Sequence, residues 1–260
     1  MTGTVARTVT LPGGVEMPLV GLGTWQLTGR QAYEAIRHAL AVGYRHIDTA
    51  TMYRNEDQVG RALRDSGLRR EDVFLTTKLL PEQAGREREA LDASLTALDT
   101  DHVDLWLIHW PPARRVEATW QKFLAVRDEG LARSVGVSNF DLAEIDQLIR
   151  TTGEAPAVNQ IRWAPALHDP QVLAGHRERG VVLEGYSPFK STDLDDPVLR
   201  EIADAHGVTP AQVVLRWHIE HGIVVIPKSG TPERIERNFD VFGFSLRPQE
   251  MARIDALGTG

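Results

Sequence analysis

The feature that most constrains this chain is an alternation. Eight short apolar runs, at residues 19–24, 46–50, 73–79, 103–109, 132–138, 157–162, 181–187 and 223–228, are separated by longer stretches with helical spacing. The runs are rich in Val, Ile and Leu, as strands buried on both faces should be. Residues 30–41 place Tyr33, Ile36, Arg37 and Leu40 near one helix face, and Gly43 supplies a stop. Asp141 can cap a helix whose apolar face is Leu142, Ile145, Leu148 and Ile149. Thr209 to Gln212 reads as a capping box with Pro210 at the first helical position, and Thr231 with Pro232 repeats the cap-plus-proline start. Gly130, Gly180 and Gly222 each fall between a helical stretch and a strand.

Repeated βα units imply a parallel sheet. Eight of them within 260 residues favour a closed α/β architecture, the (β/α)8 TIM barrel, over a doubly wound open sheet. Residues 8–11 and 15–18, around Pro12, Gly13 and Gly14, predict an N-terminal β-hairpin, and residues 248–257 an extra C-terminal helix. No linker, charge block or low-complexity tract interrupts the chain, so a single domain over 1–260 is expected.

Composition narrows the function classes. Hydrophobic residues make up 42% and charged residues 25%, ordinary for a globular protein. The chain has no cysteine, which excludes disulfides and thiolate chemistry and is compatible with a reducing compartment. A net charge of −7 argues against general nucleic-acid affinity. No apolar run approaches the ~20 residues that span a bilayer, and the N-terminus shows no signal peptide. A cytoplasmic protein is expected, with no nucleic-acid or membrane partner.

In a barrel, chemistry sits at the carboxyl ends of the strands. The second run ends with Asp48, and Tyr53 lies five residues on, in the following loop. The third run ends near Lys78 and the fourth with His109, followed by Trp110. Alternation puts Lys78 on the face of Thr76 and Phe74, and His109 on that of Leu107 and Leu105. Each residue has a plain structural explanation: a solvated lysine, a satisfied histidine, a loop-capping aspartate, a core tyrosine. Their coincidence on adjacent strands has none. Together they suit carbonyl reduction. Hydride transfer leaves an alkoxide that needs a proton, and a free tyrosine, with a pKa of about 10, is a sluggish donor. A neighbouring ammonium favours the phenolate and lowers that pKa, an aspartate holds the ammonium charged, and a histidine can orient the carbonyl oxygen.

Further segments fit one pattern. They are residues 43–50 (Gly-Tyr-Arg-His-Ile-Asp-Thr-Ala), Tyr53, Thr77 with Lys78, and 104–111 (Asp-Leu-Trp-Leu-Ile-His-Trp-Pro). Residues 135–140 (Val-Gly-Val-Ser-Asn-Phe), Asn159 with Gln160, 186–188 (Tyr-Ser-Pro) and 226–229 (Ile-Pro-Lys-Ser) complete it. In this order they resemble the aldo-keto reductase family over nearly the whole length, in particular its short bacterial 2,5-diketo-D-gluconate reductase-like members. The resemblance implies a (β/α)8 barrel, NADPH (NADP+) as cofactor, and a catalytic tetrad of Asp48, Tyr53, Lys78 and His109 with Tyr53 as general acid. It implies a small-molecule carbonyl substrate, and a monomer as the family's usual state.

Residues 21–26 begin like the dinucleotide fingerprint G-x-G-x-x-G but carry Gln26 at the third glycine position, so the cofactor must be held otherwise. Ser138, Asn139 and Gln160 can hydrogen-bond a carboxamide, and Tyr186 offers a flat face. By resemblance these hold the nicotinamide, with further cofactor contacts at Gly23, Thr24, Trp25, Asp48 and Ser187. Lys228, Ser229 and Arg234 bracket the start of the last barrel helix, where free N–H groups favour an anion. The resemblance assigns them to the adenosine 2′-phosphate and Asn238 to the adenine.

The chain also departs from the family pattern. Phe189 and Lys190 follow Tyr-Ser-Pro where relatives carry Leu-Gly. Residues 161–165 (Ile-Arg-Trp-Ala-Pro) replace an acidic residue, an aromatic and His-Pro. Arg237 stands where Glu or Gln is common. The loop after Pro112 is short and the chain stops soon after its final helix, which predicts a shallow, open pocket with broad substrate preference. Trp25, Tyr53, His109 and Trp110 are the expected pocket walls, while Trp106, Trp120 and Trp217 fit the core. Two other readings compete: a lyase using Lys78 as Schiff-base nucleophile, which Asp48 opposes by keeping the amine charged, and a non-catalytic NADPH-binding barrel acting as a sensor or regulatory subunit. A metal hydrolase is disfavoured, since His218 and His221 lie on a polar helix end without an acidic cluster.

Overall fold

The computed structural model describes residues 7–258. The predicted hairpin is present: β1 (Thr8–Leu11) pairs antiparallel with β2 (Val15–Pro18), Leu11 opposite Val15. Eight parallel strands follow, neighbouring one another in chain order: β3 (Leu22–Gly23), β4 (His46–Asp48), β5 (Phe74–Leu79), β6 (Val103–Ile108), β7 (Ala132–Ser138), β8 (Val158–Arg162), β9 (Val182–Tyr186) and β10 (Val224–Val225). Parallel bridges from Val20 to Val225 and from Gly23 to Lys228 bring the last strand back to the first and close the barrel. The helices are α1 (Gly29–Val42), α2 (Glu56–Ser66), α3 (Glu87–Leu98), α4 (Val116–Asp128), α5 (Leu142–Thr152), α6 (Pro170–Glu178), α7 (Pro197–His206), α8 (Pro210–Glu220), α9 (Pro232–Phe239) and α10 (Pro248–Asp255). None is long and apolar enough to cross a membrane.

The first and last barrel strands are only two residues long, although each predicted run is six. The reason lies at the seam. Gly21 N donates to Val225 O (2.9 Å), and Val225 N donates to Leu19 O (2.9 Å), so pairing continues as isolated bridges rather than a regular ladder. Gly21 permits this approach: a Cβ there would lie 2.6 Å from His46 Nδ1.

Caps legible in the sequence hold α5 and α8. Asp141 Oδ1 accepts from Glu144 N (2.8 Å), and Thr209 Oγ1 from Gln212 N (3.3 Å). Thr231 makes no such side-chain bond at α9. Helix α7, inserted between β9 and α8, lies outside the predicted eightfold alternation. Its start is an aspartate–proline cap, with Asp196 Oδ1 accepting from Val198 N (2.8 Å). The extra C-terminal helix is α10.

Along β6 the side chains alternate between barrel interior and helix layer. Trp106 stacks on Phe123 of α4 with ring centroids 3.8 Å apart, and Trp106, Trp120 and Trp217 are all buried, as expected of core residues.

The interior also holds buried histidines. Burial lowers the pKa of His46 and of His218 to about 4. Above pH ~6.5 both are neutral in folded and unfolded chains. As pH falls below that value the unfolded chain takes up protons that the folded chain refuses. Stability is therefore expected to drop by about 1.4 kcal/mol per pH unit per histidine until the folded groups titrate. Urea midpoints at stepped pH measure it, and a flat response between neutrality and pH ~4 would contradict it.

Candidate active site

At the carboxyl ends of β4, β5 and β6 the structure brings Asp48, Lys78 and His109 together, and the helical turn Thr51–Tyr53 carries Tyr53 over them. Lys78 is wholly buried. Its Nζ donates to Asp48 Oδ1 (2.6 Å), Asp48 Oδ2 (2.7 Å) and the Thr49 carbonyl (2.8 Å), and reaches Tyr53 Oη at 3.5 Å. The Tyr53 and His109 rings meet edge to face at 5.8 Å, and His109 stacks on Trp110 at 3.9 Å.

The loop bearing Tyr53 is tied down by a residue that no sequence pattern singles out. Asn55 is fully buried and uses its whole amide: Nδ2 donates to Thr24 O (3.0 Å) and Leu27 O (2.9 Å), and Oδ1 accepts from Thr49 Oγ1 (2.7 Å). Thr24 is itself buried, its Oγ1 donating to the Asp48 carbonyl (2.9 Å), so it stitches β3 to β4 and does not line the cavity.

Electrostatics set the resting protonation. Burial pulls the Lys78 amine down, but Asp48, together with Tyr53 and Glu184, outweighs it and the net shift is upward, so Lys78 stays charged. That also removes the chemistry a Schiff-base lysine needs. Tyr53 differs from the simple expectation. Burial raises its pKa by more than Lys78 lowers it, the Asp48 charge adds to the rise, and Tyr53 is a protonated donor at rest. Burial, with repulsion from Lys78, pushes His109 down to about 2, so it is a neutral imidazole.

The later strands complete the wall. Gln160 Nε2 donates to Asp48 Oδ2 (2.8 Å) and Glu184 Oε2 (2.9 Å). With both amide protons engaged, the Gln160 oxygen is left as an acceptor. Ser138 Oγ donates to the Gln160 carbonyl (2.7 Å), Asn139 Nδ2 donates to the His109 carbonyl (3.0 Å), and Tyr186 Oη donates to Asn139 Oδ1 (2.8 Å). Among the described residues six non-glycines have positive φ, and four of them, Gln26, Arg54, Asn139 and Ser187, line or adjoin the site. Strained backbone of this kind persists where surrounding structure over-determines it.

These residues enclose a cavity of about 310 Å³ lined by Asp48, Tyr53, His109, Trp110, Ser138, Asn139, Gln160, Tyr186, Ser187, Gly23 and Trp25, with Met52, Ile226, Arg162, Lys190 and Lys228. Trp25 and Trp110 are 43% and 37% exposed at its rim. Lys190 Nζ lies 6.0 Å from the Trp25 ring centroid, and Arg162 Nη2 donates to Ser191 Oγ (2.6 Å). Ser229, Arg234 and Asn238 lie outside this cavity, on and just before α9; Arg234 is exposed and Asn238 buried.

Glu184 is a second site residue without a sequence signal. It is fully buried, and burial together with Asp48 holds its carboxyl well above the ordinary carboxylate range. As a neutral acid it should tolerate Glu184→Gln. Glu184→Ala, by contrast, strands one Gln160 N–H and is expected to cost about 1–3 kcal/mol. Thermal denaturation of the two variants compares them, and equal losses would contradict the neutral-acid assignment.

A (β/α)8 barrel with a buried lysine–aspartate pair, a tyrosine and a neutral histidine at the carboxyl ends of its strands is a barrel enzyme. Comparison with known proteins narrows the class. The Aldo/keto reductase family profile matches residues 19–259. An aldo-keto reductase of Mycolicibacterium smegmatis is 47% identical over 257 residues, 97% of this chain and 94% of that protein. Methylglyoxal reductase DkgA of Escherichia coli is 44% identical over 258 residues, with 97% and 94% coverage. The crystal structure of an aldo/keto reductase from Brucella melitensis superposes with a TM-score of 0.93 at 43% identity, covering 96% of this chain and 98% of that one. A Bombyx mori aldo-keto reductase in complex with NADP gives 0.91 at 33% identity, covering 97% and 92%. This chain belongs to the aldo/keto reductase family.

Proposed function

We propose that the protein reduces aldehydes and ketones to alcohols with NADPH, and that Tyr53 delivers the proton. The observation that carries this is the buried Lys78, bonded to both oxygens of Asp48 and standing 3.5 Å from a protonated Tyr53 hydroxyl. The cavity fits the cofactor's reactive end. Tyr186 supplies a half-exposed ring, Gln160 an amide oxygen for a carboxamide N–H, and Ser138 and Asn139 polar atoms beside it. Lys228 at the rim leads through Ser229 to the exposed start of α9 and Arg234, where a phosphate finds two cations and free backbone N–H groups.

NADPH, when bound, supplies the hydride. Neutral His109 offers a ring N–H to the carbonyl oxygen and sets its orientation. As the oxygen gains electron density, the Tyr53 O–H proton moves onto it. Lys78 stabilises the phenolate left behind, and Asp48 keeps Lys78 charged and aimed; solvent then reprotonates Tyr53. Trp25, Met52 and Trp110 give the reacting carbonyl an apolar, open wall, which supports acceptance of varied small carbonyls. Because the Escherichia coli relative is a methylglyoxal reductase, small 2-oxoaldehydes head the assay panel. Loss of NADPH absorbance across aldehydes, ketones and keto acids tests the reading; no turnover with any of them overturns it. We place the enzyme in the cytoplasm as a monomer, on the family resemblance and the absence of cysteine.

Preference for NADPH over NADH is expected to rest on Lys228 and Arg234. Losing one charge-assisted contact to the 2′-phosphate should raise KM for NADPH roughly ten- to hundredfold in Lys228→Ala or Arg234→Ala. KM for NADH should move far less. Equal changes for both cofactors would sink this assignment.

A further inference from the structure

Away from the cavity, three side chains from distant parts of the chain converge on one point. His168 follows the turn Pro165–Leu167 after β8, His221 caps the C-terminus of α8, and Asp255 ends α10. One ligating atom from each lies within 4.8 Å of the other two. His221 Nε2 is 2.8 Å and His168 Nε2 3.8 Å from Asp255 Oδ1, and the two imidazoles stack at 5.1 Å. None of the three lines the reductase cavity.

We propose that His168, His221 and Asp255 form a binding site for a borderline divalent cation, zinc being the best match. Two imidazoles and a carboxylate are a donor set that zinc takes readily, and one that magnesium and calcium, which prefer all-oxygen shells, do not. The ion would take the place of the proton now shared by His221 Nε2 and Asp255 Oδ1, with His168 Nε2 at 3.8 Å as the third ligand. The surroundings hold them in place. Trp217 Nε1 donates to Asp255 Oδ1 (2.7 Å), the oxygen that also meets His221 Nε2, and so anchors that carboxylate. Trp217 and Trp163 set their rings edge-on to His168, at 5.5 and 6.1 Å, and Trp217 does the same to His221 at 4.9 Å. Such partners orient metal ligands and are part of a working site. His168 Nδ1 is buried and has no hydrogen-bond partner among the described residues, and Nε2, the atom that faces Asp255 Oδ1, stands at 3.8 Å, beyond a hydrogen bond. Asp255 and His221 keep partial exposure, so an ion can enter from solvent.

Binding has a mechanical consequence. The ion would join the β8–α6 connection, α8 and the end of α10 through one centre. Gly258 already lies so close to this turn that a Cβ there would sit 2.8 Å from the carbonyl oxygens of Pro165 and His168. The site is thus a clasp on the C-terminal helix, separate from the hydride chemistry.

The experiment uses the full, untagged chain, stripped with chelator and titrated with zinc chloride, with magnesium chloride as control. Bound metal is measured after desalting and melting is followed with and without zinc. The expected result is one zinc per chain and a rise in Tm of about 5 °C at a hundredfold excess over Kd, with no response to magnesium. His168→Ala and Asp255→Asn should each abolish the stoichiometric zinc and the zinc-dependent rise while carbonyl reduction persists. Cobalt substitution should give visible d–d bands that His168→Ala removes. A chain that retains no zinc overturns the proposal, as does zinc binding that survives both substitutions. A variant that is merely destabilised would still show the zinc-dependent rise, and that result also counts against the site.

Discussion

Tyr53→Phe is expected to lower kcat roughly 10²–10⁴-fold, the range a positioned general acid contributes, while leaving NADPH binding and stability near the parent values. The substitution removes one hydroxyl and nothing else. The ring keeps its edge-to-face contact with His109, and Lys78 keeps its three shorter bonds to Asp48 and the Thr49 carbonyl, so no charge is stranded. NADPH fluorescence titration, steady-state kinetics and a melting curve together isolate the chemical step. Full activity in this variant would refute Tyr53 as the acid. The pH profile of the parent enzyme carries a second signature. Burial holds Tyr53 protonated above its ordinary range, and His109 stays neutral down to about 2. Neither group titrates between pH about 5 and 9, so reduction should show no break there from either of them. A histidine-like inflection in kcat that disappears in a His109 variant would count against the neutral imidazole.

How much of this is legible in the sequence depends on where each residue sits. Asp48, Lys78 and His109 stand out because each is a polar residue closing an apolar run, and strand ends meet at one mouth in a barrel. Tyr53 is harder, since it lies on a loop whose path depends on Asn55 bonding backward to Thr24 and Leu27, contacts between segments 28 to 31 positions apart. Glu184 is hidden by its own strand. A lone carboxylate in an apolar run looks like a solvent-facing position, and only the closed barrel shows that it meets Gln160 and His46 inside. The orientation of the Gln160 amide follows from Asp48, 112 positions away, and no local pattern encodes it. Helix α7 escapes the eightfold count although Asp196 and Pro197 mark its start. The expectation that Lys78 lowers the Tyr53 pKa weighs one charge alone: Lys78 does pull it down, but burial pushes it up by more, and Asp48 adds to the rise.

Lys78→Met is expected to abolish reduction and also to destabilise the fold by about 3–5 kcal/mol, because it leaves Asp48 charged and buried with its cation gone. Asp48 would keep one hydrogen bond, from Gln160 Nε2 at 2.8 Å, too little to replace an ammonium bonded to both oxygens. Against a total stability of about 5–15 kcal/mol, that loss is large enough to shift the urea midpoint plainly. The double variant Asp48→Asn with Lys78→Met separates the two effects. It removes both charges, keeps the Gln160 bond through the asparagine oxygen, and should recover most of the lost stability, since a buried ion pair replaced by neutral groups often costs little. Activity should not return, because no ammonium remains to stabilise the phenolate. Recovery of stability without activity would mean that the pair is kept for chemistry. Recovery of neither would mean that the pair holds the barrel mouth together, and a double variant that reduced carbonyls at the parent rate would remove Lys78 from the mechanism.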